Sequence, residues 1–297
     1  MSESIESKEK KSWYDSSYKI LLIIPVALML ICLGYLLFFH SQHNDFIYKD
    51  VSLSGGTSIT IQGDVPASLE SEIKAKYPDL VVRRLADMTT GKNIASIFES
   101  SAESAEFKSA LESALGYKLT DENSSIEFSG PTMSDSFYKQ LLIALVISFM
   151  LMSMVIFILF RTFVPSIAVI FAAFSDIVMP LALINLLGIQ LSAAGIAAFL
   201  MLIGYSVDTD ILLTTRALKK RDGTLNERIY GAFKTGSFMT ITALFAVLPA
   251  FFLITGLPDS FRQIFLILAL GLFADLINTW LTNASIIKWY CERKGIK

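Results

Sequence analysis

A polypeptide crosses the hydrocarbon layer of a bilayer as a helix of about 20 mainly apolar residues or as a closed barrel, because every backbone polar group must be paired internally. This chain offers the helical length six times, over residues 20–39, 141–160, 164–187, 191–213, 238–254 and 264–287. Residues 40–140, of ordinary polar composition, separate the first run from the second, and short turns join the rest. The pattern predicts an α-helical polytopic membrane protein with six spans. In order it has a tail (1–19), a first span (20–39), an α+β domain outside the membrane (40–137), a five-helix bundle (138–287) with a basic loop (214–236), and a second tail (288–297).

Composition agrees. Hydrophobic residues make up 53% of the chain and charged residues 18%, against about 45–50% and about 25% for a water-surrounded domain. The 25 Lys+Arg against 27 Asp+Glu leave a net charge of −2, which excludes the basic surface a nucleic-acid binder needs. Cys32 lies in an apolar run and Cys291 in a charged tail, so no disulfide framework or cysteine zinc site is expected. The first run exceeds the usual signal-peptide core of about 7–15 residues and no A-x-A site follows Phe39, so it reads as an uncleaved anchor.

Positive charge near span ends stays in the cytoplasm during insertion. Lys8, Lys10, Lys11 and Lys19 precede the first span, and Arg216, Lys219, Lys220, Arg221, Arg228 and Lys234 lie between the fourth and fifth. Lys288, Arg293, Lys294 and Lys297 follow the sixth. The opposite turns, 185–190 and 255–263, hold only Arg262. Both termini are therefore expected in the cytoplasm and the domain outside.

In that domain, Val51, Leu53, Ile59 and Ile61 alternate with polar residues about Gly55-Gly56, which predicts one strand over 50–63. The glycine pair suits a bulge or close backbone approach; no phosphate-loop motif accompanies it. Leu69, Ile73 and Tyr77 share a helical face, and 80–85 and 93–98 read as strands about a Thr89-Thr90-Gly91 turn. A helix over 101–115 is expected with Ser101 as its cap and Gly116 as its stop, then a strand at Ile126 and Phe128. The order β-α-β-β-α-β is that of a ferredoxin-like fold. The many acids of this domain read as a solvated face. His40 and His43, without a third ligand, make a weak metal site.

A carboxylate at a span centre costs about 2.5–3.5 kcal/mol on insertion scales and is a functional candidate by default. Asp176, Asp208, Asp210 and Asp275 qualify. Burial favours the neutral, proton-carrying form of a carboxyl, which is the chemistry of a proton relay. Asp208 and Asp210 are two residues apart, about 200° around a helix, and so face different ways. Gly204, one turn before Asp208, is expected to admit a neighbouring backbone; Ser206 stands one turn before Asp210. Asp275, Asn278, Thr279 and Thr282 form a polar stripe expected to face the bundle interior. The alternative for each Asp is a hydrogen bond that merely holds helices together. Residues 217–233 read as a flat amphipathic helix interrupted at Gly223.

The segment Gly204-Tyr205-Ser206-Val207-Asp208-Thr209-Asp210 with Arg216 resembles the fourth-span signature of SecF proteins, in the SecD/SecF family of protein-export membrane proteins. Residues 53–59 (LSGGTSI), Ser175-Asp176-Ile177 and 233–242 (FKTGSFMTIT) resemble further stretches of that family, and six spans with one domain after the first is its topology. Bacterial members have Asn-Asp-Thr where this chain has Asp208-Thr209-Asp210, an archaeal-looking change that leaves either Asp as carrier of the role. Their arginine opening the fifth span looks like Lys234 here, which keeps a charge but loses the two-pronged fork. The resemblance implies a non-enzymatic export subunit in the cell membrane, without cofactor or metal. Its partners would be SecD in a heterodimer, the Sec translocon channel, the translocating polypeptide and membrane lipid, with the proton gradient as driving force. Rival readings are a small-molecule or lipid exporter and an intramembrane aspartyl protease, whose Gly-x-Gly-Asp motif is replaced here by Ser206-Val207-Asp208.

Overall fold

The computed structural model describes residues 13–86, 92–219, 223–253 and 259–296. The Thr89-Thr90-Gly91 turn and the cations Lys8, Lys10, Lys11, Lys220, Arg221 and Lys297 lie outside the described residues. Helix α1 (Trp13–His43) leads into one helical turn, α2 (Val51–Ser54), and then a module of β1 (Gly56–Gln62), α3 (Ala67–Lys76), β2 (Val81–Ala86), β3 (Asn93–Ser100), α4 (Ser104–Leu115) and β4 (Ser124–Ser129). Five long elements follow: α5 (Pro131–Phe160), α6 (Phe163–Leu186), α7 (Ala193–Lys219), α8 (Leu225–Leu253), and a last span made of α9 (Asp259–Ile277), a π-helical turn (Asn278–Asn283) and α10 (Ala284–Arg293). Among the described residues, six helices are long and apolar enough to cross a membrane.

The sheet is antiparallel with order β2-β3-β1-β4. Its core joins Ile59, Ile61 and Phe98 on strands to Leu69 and Ile73 on α3 and Phe107 and Leu111 on α4. The strand expected over 50–63 is shorter. Asp50 accepts from Ser52 N at 2.9 Å and starts the α2 turn, so Val51 and Leu53 are helical. Gly55 (φ +86°) and Gly56 (φ +131°) then turn the chain into β1, and a Cβ on Gly56 would stand 2.4 Å from Ser100 O of β3. That is the expected close approach. Ser101 does not cap α4: its N and Oγ donate to Asp79 Oδ2, both at 2.6 Å, and Glu103 takes the cap position. Gly116 ends α4 in the left-handed region as expected. His40 stacks on Phe46 and His43 on Phe39, and no metal-holding cluster occurs among the described residues.

A short strap ties the module to the bundle. Asp50 N donates to Leu191 O at 3.1 Å and Leu191 N to Tyr48 O at 2.6 Å. Ser52 Oγ donates to Asp50 Oδ1 at 2.6 Å and accepts from Ala193 N, the first residue of α7, at 2.9 Å. Burial lifts the Asp50 carboxyl to about 7, with Ser52 and Arg83 opposing and Glu99 adding to the rise. The folded state therefore holds this proton where the unfolded chain has lost it. Stability from this group is greatest near pH 4 and falls as pH rises towards 7, by on the order of 4 kcal/mol. Melting curves from pH 4 to 8 are expected to show that fall. Asp50→Asn, which keeps the cap acceptor and cannot titrate, flattens it, and equal slopes for the two proteins would refute the assignment.

In the bundle, α6, α7 and the last span are more than half buried and form the interior, whereas α1, α5 and α8 lie around it. The basic segment expected as a loop over 214–236 is helical over most of its length, since α7 runs to Lys219 and α8 begins at Leu225. The flat amphipathic helix over 217–233 is therefore absent. Its apolar residues instead serve the bundle, with Ile229 and Ala217 buried together and Arg216 Nη1 donating to Gly231 O at 2.6 Å. Helix α5 likewise starts earlier than the expected 138, at Pro131, where proline suits the first helical turn.

Candidate functional site

Three of the four expected carboxylates meet inside the bundle. Asp176 (α6), Asp210 (α7) and Asp275 (α9) are each at most 1% exposed. Asp176 Oδ1 accepts from Asn278 Nδ2 at 2.7 Å, and its Oδ2 accepts from Ser206 Oγ. Asp210 Oδ1 accepts from Asn283 Nδ2 at 2.7 Å and lies 3.0 Å from Thr279 Oγ1. Asp275 Oδ1 lies 2.9 Å from both Thr209 Oγ1 and Thr279 Oγ1, and its Oδ2 accepts from Thr240 Oγ1 of α8 at 3.2 Å. No Lys or Arg among the described residues pairs with the three.

Thr279 decides what this cluster can do. A hydroxyl has one hydrogen, yet its oxygen is in hydrogen-bond reach of Asp210 and Asp275 together. It donates to one carboxylate, and the second contact is made when the other carboxyl carries a proton and donates to the threonine oxygen. One bound proton would thus satisfy both contacts. Asp210 Oδ2, Thr214 Oγ1 and Thr282 Oγ1 are buried and find no partner among the described residues, so accepting capacity remains around Asp210.

Asp208 is not part of the cluster. Two residues from Asp210, it lies on the opposite, exposed face of α7 with Gly204 and Tyr205. The expectation that a neighbouring backbone approaches Gly204 is not met: nothing lies within 4 Å of where its Cβ would stand. Lys234 is exposed on α8, and Arg216 serves the α7–α8 junction. Gly55 and Gly56 act in the module.

The polar stripe expected on the last span is interior, with Asn278, Thr279 and Thr282 fully buried. Sequence reading missed Asn283, which donates to Asp210, because the stripe was followed only as far as Thr282. Its signal was its spacing, i+8 from Asp275 and i+4 from Thr279, which continues the same helical face.

The chain matches the family described as Protein export membrane protein SecD/SecF, C-terminal, over residues 110–293. It is 38% identical over 283 residues to the Protein-export membrane protein SecF of Methanothermobacter thermautotrophicus, with 93% of each chain covered. It is 36% identical to that of Methanocaldococcus jannaschii, covering 92% of this chain and 95% of the relative. The crystal structure of SecDF, a translocon-associated membrane protein from Thermus thermophilus, matches with TM-score 0.74 at 17% identity, over 95% of this chain and 39% of that longer one. That likeness bears on the fold alone; the relatives bear on descent. Six apolar helices and these relatives make it a multi-pass membrane protein, and the chain belongs to the SecD/SecF family of protein-export membrane proteins.

Proposed function

We propose that the chain is an accessory subunit of the Sec protein-export machinery, acting with SecD to promote translocation of polypeptides with the proton gradient as driving force. The observation that carries this reading is the one-proton unit of Asp210, Thr279 and Asp275 inside a bundle whose relatives are export proteins. A proton arriving at or leaving Asp210 changes which helix the Thr279 hydroxyl binds, and so biases α7 against α9. Helix α7 begins at the Ser52–Ala193 contact, which passes its movement to the module.

The remaining parts fit the same reading. The bases at span ends support a reading with both termini in the cytoplasm and the module outside. Sheet order β2-β3-β1-β4 with α3 and α4 on one face supports a ferredoxin-like module. The open Gly204-Tyr205-Asp208 face of α7 suits a helix of SecD, since a carboxylate left facing lipid costs about 2.5–3.5 kcal/mol. The reading is non-enzymatic. Where an aspartyl protease must hold water and a peptide carbonyl between its carboxyls, Asp210 and Asp275 are joined through the Thr279 side chain.

The test uses membrane vesicles carrying the chain and SecD, with an imposed proton gradient and a translocating substrate. The gradient is expected to stimulate export only when the chain is present. Equal stimulation without it, or copurification as a self-associated pump free of SecD, would remove the proposal.

A further inference from the structure

A groove of about 420 Å³ separates the module from the bundle, between β2 and the module-side ends of α6, α8 and α9. Its lining is of two kinds. Arg83, Arg84 and Arg262 line it, the Arg84 guanidinium being turned to Glu70 of α3, and Leu187, Phe251 and Leu266 bring apolar surface. Strand β2 is the edge of the sheet, so the arginines overhang the groove from an unextended border.

The charges do not cancel. Arg83 engages Glu99, and Arg84 engages Glu70 at 2.9 Å. Arg262 meets no carboxylate among the described residues; its guanidinium lies over the Phe251 ring at 5.0 Å, and its buried Nε finds no partner there. Among the described residues the groove thus carries about one positive charge without a carboxylate partner. Its level is also fixed: Leu187 follows the last residue of α6 and Phe251 lies two residues before the end of α8, where span ends meet lipid headgroups. Leu187 is 62% exposed, so the apolar side opens outward.

We propose that this groove binds the phosphate of an anionic phospholipid from the leaflet on the module's side. The Arg262 guanidinium takes the phosphodiester, which needs one positive charge and presents paired oxygens. The outer faces of Arg83 and Arg84 flank the headgroup, and an acyl chain runs down Leu187, Phe251 and Leu266 into the bilayer. The lipid then wedges the edge of the module against the helix ends, whether or not the bundle conducts protons.

The full chain, with any copurifying partner, is purified in detergent and loaded with phosphatidylglycerol or phosphatidylcholine, and retained lipid is counted by native mass spectrometry. Retention of phosphatidylglycerol is expected to exceed that of phosphatidylcholine by about fivefold, the effect of one basic residue near an anionic surface. R262Q is expected to abolish the preference at unchanged melting temperature in lipid-free detergent, and R262K to keep most of it. If R262Q melts early, L187E, which sets a carboxylate on the exposed apolar side of the groove, carries the same comparison. Millimolar inorganic phosphate is expected to leave the lipid bound. An unaltered preference in well-folded variants overturns the proposal. So does displacement by inorganic phosphate, which marks a free-anion site, or by an acidic peptide, which marks a polypeptide site.

Discussion

Asp210→Asn is expected to lower gradient-stimulated export by about tenfold or more, a loss of at least ~1.4 kcal/mol of coupling, while Asp208→Asn stays within about twofold in the same vesicles. Asparagine keeps an acceptor oxygen for Thr279 and Asn283, so the bundle retains its contacts and loses only the exchangeable proton. A leucine would instead strand two buried donors at about 1–3 kcal/mol each and confuse folding with function. Thr279→Ser should preserve stimulation and Thr279→Val remove most of it, because the Thr279 hydroxyl is the group that links Asp210 to Asp275. The result that counts against the relay is an Asp210→Asn protein that folds, associates with SecD and still responds fully to the gradient. Asp208→Asn carries a different expectation, a complex with SecD that comes apart more readily once detergent removes it from the membrane, which co-purification reads directly.

Gly56→Ala should destabilise the module by about 3 kcal/mol or more. The backbone stands at φ +131°, where an L side chain is strained by about 1–3 kcal/mol. The new methyl also meets Ser100 O at 2.4 Å, and that oxygen belongs to the backbone of β3. Relief requires β1 to move from β3, disturbing the pairing of Thr57 with Ser100 beside it. Limited trypsin digestion of the intact protein reads the effect, since Lys74 and Lys76 are exposed but held in α3, and the bonds after them become cleavable when the module opens. Digestion as slow as in the unaltered protein would show that the strand shifts at little cost.

The spans were legible in the sequence because bilayer thickness imposes a length on every one of them. Their facing was not. Helix α5 is exposed along most of its length and α6 is largely buried, yet both are apolar at most positions, since lipid and protein interior demand the same side chains. Only polar residues betray orientation. Asp275, Asn278, Thr279 and Thr282 were therefore readable as interior, while the choice between Asp208 and Asp210 needed the direction of α7 relative to α6 and α9. The module's strands followed their alternation except where Asp50 turned Val51 and Leu53 into a helical cap, a local hydrogen bond that outweighs a two-residue period. The boundaries about 214–236 were missed because a basic, half-apolar stretch reads as a surface helix when its partners across the bundle are unknown.

The π turn of the last span acts as a phase shift. One surplus residue between Asn278 and Asn283 sets α10 about 100° out of step with α9, as though two different helices had been spliced. Rewound at the ordinary 3.6 residues per turn with none removed, the segment would swing Lys288 and Cys291, both now hidden, about 100° from their present facing. The wide winding of that short segment, more than the identity of any one side chain in it, sets the aim of everything that follows.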